Sequence, residues 1–120
     1  MELKIIDLTN QKLAEIVSDS VVIDTAQSAL DIMAEVSYQE ASAIILHEKN
    51  ITSAFFDLRS GIAGEILQKY ANYRMKLAII GEFEKLESKS LKAFIIECNR
   101  GDAVFFVADR ETAIAKLNID

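Results

Sequence analysis

Three short, almost wholly apolar runs, Ala43 to Leu46, Lys76 to Ile80 and Ala103 to Val107, alternate with longer segments whose apolar residues recur every three or four positions. A strand without polar alternation is built to be buried on both faces, and the amphipathic segments between such runs are what can cover it. The pattern therefore points to a parallel sheet covered by helices. The chain opens differently. Leu3, Ile5, Ile6 and Leu8 predict a strand, Thr9-Asn10-Gln11 a turn, and Leu13 to Val17 a second strand folded back antiparallel on the first. The predicted order is β-β-α-β-α-β-α-β-α, an α/β fold with a mixed, mostly parallel sheet.

The helices carry their own punctuation. Asp24 and Gln27 have the spacing of a capping box, and Ala26, Ala29, Leu30, Met33 and Val36 follow along one face. A second helix is predicted from Ser60 to Asn72 with Ile62, Ile66, Leu67 and Tyr70 inward. A third starts at Ser90 with Leu91, Phe94, Ile95 and Cys98 inward and Gly101 just past its end, and Asp109 caps the last.

The chain has 120 residues, of which 51% are hydrophobic and 27% charged, with four glycines and no proline; this suits a single domain over 1–120 with a real core. Thirteen basic residues against nineteen acidic ones give a net charge of -6, which argues against nucleic acid and anionic membrane as partners. The apolar runs are far shorter than the about 20 residues of a membrane helix. The lone Cys98 supports neither an intramolecular disulfide nor a cysteine-based metal site, and Met1-Glu2-Leu3-Lys4 carries no signal-peptide pattern, so a cytoplasmic location is expected.

In an open parallel sheet, ligands and partners meet the carboxyl ends of the strands. That rule selects His47 with Glu48 at the end of one strand, Gly81-Glu82 at the end of the next, and the turn Phe55-Phe56-Asp57-Leu58-Arg59-Ser60-Gly61, which are expected to share one rim. Ser60-Gly61 reads either as a helix cap or as a site where free N–H groups and Arg59 hold an anion. His47, oriented by Glu48 or Asp57, has the chemistry of a general base beside Ser60. No Gly-x-Ser-x-Gly elbow, zinc-type histidine pair or Gly-rich phosphate loop accompanies it, so a binding role is favoured over catalysis. No cofactor or metal is expected, because His47, Glu48 and Asp57 lack a ligand spacing. Phe55 and Phe56 are expected to anchor the loop in the core; exposed, they would serve a partner or a second copy in a homodimer. Cys98, on an inward helix face with no cation nearby, is expected to be inert.

Ile45-Leu46-His47-Glu48-Lys49-Asn50-Ile51, Phe55 through Lys69, Asn72-Tyr73-Arg74, Lys76-Leu77-Ala78-Ile79, Ser88-Lys89-Ser90-Leu91 and Phe105-Phe106-Val107 together resemble a bacterial family, domain of unknown function 4180. The resemblance spans almost the whole chain, and the family name assigns no activity. A more distant likeness is to STAS domains, the fold of bacterial anti-sigma-factor antagonists, whose strand-to-helix turn carries Asp-Ser-Ser-Gly-Leu. The matching stretch is Asp57-Leu58-Arg59-Ser60-Gly61-Ile62, with Arg59 where those antagonists carry the phosphorylated serine and Ser60 matching the second one. The likeness implies a STAS-like regulatory module that binds a protein partner or a small anion through Asp57 to Gly61, with His47, Gly81 and Glu82 on the same rim and Ser60 as a candidate phosphorylation site. The alternative reading is a small hydrolase or transferase with His47 as general base.

Overall fold

The computed structural model describes residues 1–118. β1 (Glu2–Asp7) and β2 (Lys12–Val17) form the hairpin, followed by α1 (Ala26–Tyr38), β3 (Ala43–His47), α2 (Ile62–Asn72), β4 (Lys76–Ile80), α3 (Lys89–Arg100), β5 (Val104–Val107) and α4 (Arg110–Leu117). The five strands lie in the order β1-β2-β3-β4-β5, with β1 antiparallel to β2 and every later pair parallel. The predicted element order and mostly parallel sheet are therefore present. No helix among the described residues is long and apolar enough to cross a membrane.

Side chains alternate across each strand, so the sheet has two unlike faces. On one, Ala14, Ile16, Ile44, Leu46, Leu77, Ile79 and Phe106 pack with residues of α1, α2 and α3, among them Val36, Ile66, Tyr70 and Leu91. On the other, Leu13, Ala43, Ile45, Ala78, Phe105 and Val107 meet Ala113 and Leu117 of α4. With eight residues, α4 packs mainly on β3, β4 and β5 and reaches the hairpin side at its two ends, through Arg110 to Glu15 and through the Leu117 carbonyl, which accepts from the Gln11 carboxamide at 2.7 Å. Burying polar side chains under a full helical layer would be costly. Glu15, buried beside the start of α4, has Arg110 and His47 as its partners.

Helix starts differ from expectation by a residue or two. Thr25, not Asp24, caps α1: its hydroxyl accepts from the Ser28 N–H at 3.1 Å, and Ser28 accepts in return from the Thr25 N–H at 3.0 Å. Asp24 is occupied as acceptor of the Ser28 hydroxyl at 2.9 Å, and Gln27 donates along the helix to Asp31 at 2.9 Å. α3 begins at Lys89, one residue before the expected start at Ser90, and its cap is Ser88, accepting from the Leu91 N–H at 3.2 Å. A capping side chain accepts from an N–H two or three residues on that no helix carbonyl takes, and Thr25 and Ser88 are the residues so placed. Cys98 is half-buried, and burial with the neighbouring Glu97 charge pushes its thiol up, away from the reactive thiolate.

β5 is an edge strand, and edges invite pairing with other chains. Asn99 of α3 closes it: its carboxamide accepts from the Phe106 N–H at 2.8 Å and donates to the Phe106 carbonyl at 3.1 Å. An Asn99→Ala protein is expected to lose about 1–2 kcal/mol in urea unfolding and to show concentration-dependent light scattering. Wild-type stability with no added scattering would mean that this closure is dispensable.

Candidate functional site

His47 ends β3, and alternation along the strand places it on the α4 face with Ala43 and Ile45. Its Nε2 lies 3.2 Å from Oε2 of Glu15, from the middle of β2, and the other oxygen of Glu15 accepts from Nε of Arg110 at 2.7 Å. Arg110 is the first residue of α4, so one carboxylate joins two strands and a helix. The Glu15 side chain is 8% exposed, against 35% for His47 and 42% for Arg110. Burial pushes the Glu15 carboxyl up, but hydrogen bonds and charge from Arg110 and His47 outweigh it and hold the group below its ordinary range. An ionised carboxylate only accepts, so Nε2 carries the hydrogen in this contact.

Asn50 organises the ground beneath this cluster. It is fully buried; its side chain accepts from the His47 N–H at 3.3 Å and donates to the carbonyls of Ser18 and Ser20 at 2.9 and 3.0 Å. Its own carbonyl accepts from the N–H groups of Val22 and Ile23, and its N–H faces the imidazole. The segments leaving β2 and β3 are thereby tied together, and between them opens a depression of about 540 Å³ lined by Glu15, Val17, Ser18, Asp19, His47 and Lys49. Lys49 and Asp19 pair at 3.7 Å, both well exposed.

Glu48 turns away from His47 toward the end of β4, where its Oε1 accepts from the Glu82 N–H at 3.3 Å. Gly81 donates its N–H to the Val107 carbonyl at 2.9 Å, and a Cβ there would fall 2.5 Å from Glu48 Oε1 and 2.8 Å from the Phe83 ring. A side chain at this position would have to displace the exposed Glu48 carboxylate from the Glu82 N–H and shift the Phe83 ring. Glu82 pairs with Lys85 at 3.1 Å.

The Asp57 to Gly61 turn is built from Ser53–Phe56 and Leu58–Ser60, two single turns of 3-10 helix ahead of α2. Phe55 is buried and Phe56 half-buried, Phe55 against Phe106 and Phe56 against Phe83 with ring centroids 6.3 and 5.9 Å apart, so neither is left for a second copy as a free patch. Asp57 accepts from the Arg59 N–H through its side chain (3.2 Å) and from the Ser60 N–H through its carbonyl (2.9 Å). The Gly61 N–H goes to the Leu58 carbonyl and the Ile62 N–H to Ser60 Oγ, which itself donates to the Ala54 carbonyl at 2.6 Å. Gly61 has φ +79°, a left-handed conformation natural to glycine, and serves as the N-cap of α2, which therefore begins at Ile62 and not at Ser60. Every N–H from Arg59 to Ile62 has an acceptor within the turn. Arg59 itself projects outward, 95% exposed, with its guanidinium 3.6 Å from Asp57.

The expected single rim thus resolves into two places. His47 stands with Glu15 and Arg110 on the α4 face, whereas Asp57, Leu58 and Arg59 line a separate depression with Phe56, Ser88 and Ser90. Gly81-Glu82 touches the His47 side through Glu48. Neither Asp57, Ser60 nor Glu48 hydrogen-bonds the His47 ring; the carboxylate that orients it is Glu15. Glu15, Asn50 and Arg110 were not anticipated. Glu15 had a visible signal, as the one charge inside the run Leu13 to Val17; Arg110 and Asn50 looked like ordinary helix-start and loop residues. Among the described residues, no group of three or more His, Cys, Asp or Glu side chains is placed to hold a metal ion.

A family model described as Domain of unknown function (DUF4180) matches residues 8–117. No curated protein and no solved structure matches the chain.

Proposed function

We propose, for a chain that belongs to the DUF4180 family, a non-enzymatic regulatory module that contacts a protein partner through the strand-to-helix turn Asp57 to Gly61. The observation that carries this reading is a turn whose backbone is held by internal hydrogen bonds while Arg59 stands 95% exposed at its tip. A contact surface ordered in advance loses little entropy on binding, and arginine is among the residues that most often anchor interfaces. A small anion held by the turn has weaker support, since the N–H groups of residues 59 to 62 are already engaged. Phosphate on Ser60 would remove its hydroxyl hydrogen bond to Ala54 and place negative charge beside Arg59 and Asp57; as a switch, it would act by remaking the turn. The reading of the fold as STAS-like is supported by its element order and by the antiparallel first strand at one edge of a parallel sheet.

The test is a pull-down from the host's lysate with wild type, Arg59→Glu and, on the far side of the fold, Lys116→Glu, together with mass spectrometry of Ser60. A partner kept by wild type and Lys116→Glu but lost by Arg59→Glu is expected. The same proteins retained by all three would sink the assignment of the turn.

A second reading, a hydrolase or transferase, is favoured by one observation: the His47 imidazole is oriented by a buried carboxylate inside an open depression. It requires turnover of an ester or phosphoester substrate that His47→Gln abolishes. Equal background rates for both proteins would dismiss it.

A further inference from the structure

A second depression, about 470 Å³, opens at the carboxyl ends of β4 and β5 beside α3. Its lining is mostly apolar and includes Phe83, Ile95, Phe106 and Ile96, the last 53% exposed. The rings of Phe83 and Phe106 meet edge to face with centroids 5.3 Å apart. Asn99 also lines it, with both ends of its carboxamide held by the Phe106 backbone. An extended peptide therefore finds no free backbone at Phe106 to pair with, which disfavours strand addition as the use of this place. Volume and position suit a small molecule: clefts of about 300–1,000 Å³ at strand carboxyl ends are where such ligands sit.

Two charged side chains line the depression, Glu84 and Lys92, and they are of opposite sign. Neither has an ion-pair partner within 4.0 Å among the described residues, although Lys85 pairs with Glu82 and Arg100 with Glu97 close by. An apolar lining alone would accept any apolar body; one free charge of each sign selects a ligand that carries both. We propose that this depression binds a free α-amino acid with a large apolar side chain, its carboxylate meeting Lys92, its ammonium meeting Glu84 and its side chain lying against Phe83, Ile96 and Phe106. The site borders the candidate rim at Gly81 but shares no lining residue with the depressions at His47 or at the Asp57 to Gly61 turn, and it stands or fails independently of the partner-binding reading. Both charged groups are exposed, so the affinity expected is modest, with Kd of about 0.1–1 mM.

The experiment is an NMR titration of the full chain, following backbone amides, with L-phenylalanine and L-leucine against L-alanine, N-acetyl-L-phenylalanine and L-phenylalaninamide. Saturable shifts centred on Gly81, Ile96 and Ala108 are expected with the first two and not with alanine. Blocking either end of phenylalanine is expected to weaken binding about two- to fivefold, as are Lys92→Gln and Glu84→Gln, both exposed substitutions whose unchanged circular dichroism would confirm the fold. Absence of saturable shifts up to roughly 10 mM would overturn the proposal. Binding indifferent to the blocked ends or to these two substitutions would overturn it equally.

Discussion

An Asn50→Leu protein is expected to lose about 2–4 kcal/mol of stability, with the damage concentrated where the segments after β2 and β3 meet. Asn50 is fully buried, and leucine removes its acceptor for the His47 N–H and both donors to the Ser18 and Ser20 carbonyls. Water can reach the exposed Ser20 side of this network, which holds the cost below that of three wholly buried bonds. Asn50→Asp separates packing from hydrogen bonding, because it keeps the volume and the acceptor but loses the two donors and puts a charge at a buried position. Urea unfolding of both variants checks the claim, and losses below about 1 kcal/mol would show that the hub is not what orders these segments.

Arg110→Met is expected to destabilise the protein by about 2–3 kcal/mol near neutral pH and to change how stability depends on acid. In the wild type, the Glu15 carboxyl lies below its ordinary value of 4.5, despite burial, because of Arg110 and His47. A carboxyl depressed in this way contributes stability that is present above the unfolded value and lost as pH falls through the folded one. Without Arg110, desolvation of a side chain only 8% exposed is opposed by His47 alone, and the carboxyl moves up. The deficit relative to wild type should therefore be largest near neutral pH and shrink as the pH falls through the lowered wild-type value, where both proteins come to carry protonated Glu15. Arg110 is 42% exposed, and solvent screening of its charge keeps the expected figure below that for breaking a fully buried pair. A deficit that stays constant with pH would assign Arg110 a packing role and remove the charge argument for the His47 corner.

The layout of the fold was legible because it rests on local, repeating signals. Continuous apolar runs at Ala43 to Leu46 and Lys76 to Ile80 can be satisfied only inside a covered sheet, and Asp109 caps α4 as its spacing implies, accepting from the Thr112 N–H at 2.7 Å. Cap positions at Thr25 and Ser88 slipped because several hydroxyl and carboxylate residues compete within one turn, and small geometric differences decide among them. The turn from Asp57 to Gly61 was recognisable as a unit from its composition. That its N–H groups are spent on Asp57, Leu58 and Ser60 was not, since this depends on the chain doubling back through two successive tight turns.

The candidate site divides along the same line. His47 at a strand end follows from chain order, because the carboxyl ends of parallel strands collect at one side of a sheet. Its partners come from 32 and 63 positions away, Glu15 directly and Arg110 through Glu15, and no local pattern ties together residues so distant in sequence. Periodicity along the chain was thus enough to determine strands, helices and the order of the layers. Only the tertiary structure decided that the start of α4 meets β2 at Glu15, that this side chain is buried there rather than solvated, and that His47 looks toward it instead of toward Ser60. The physical reason is that burial of a charge and the choice of its partner are set by which elements pack over it, and packing is a property of the whole sheet rather than of any one segment.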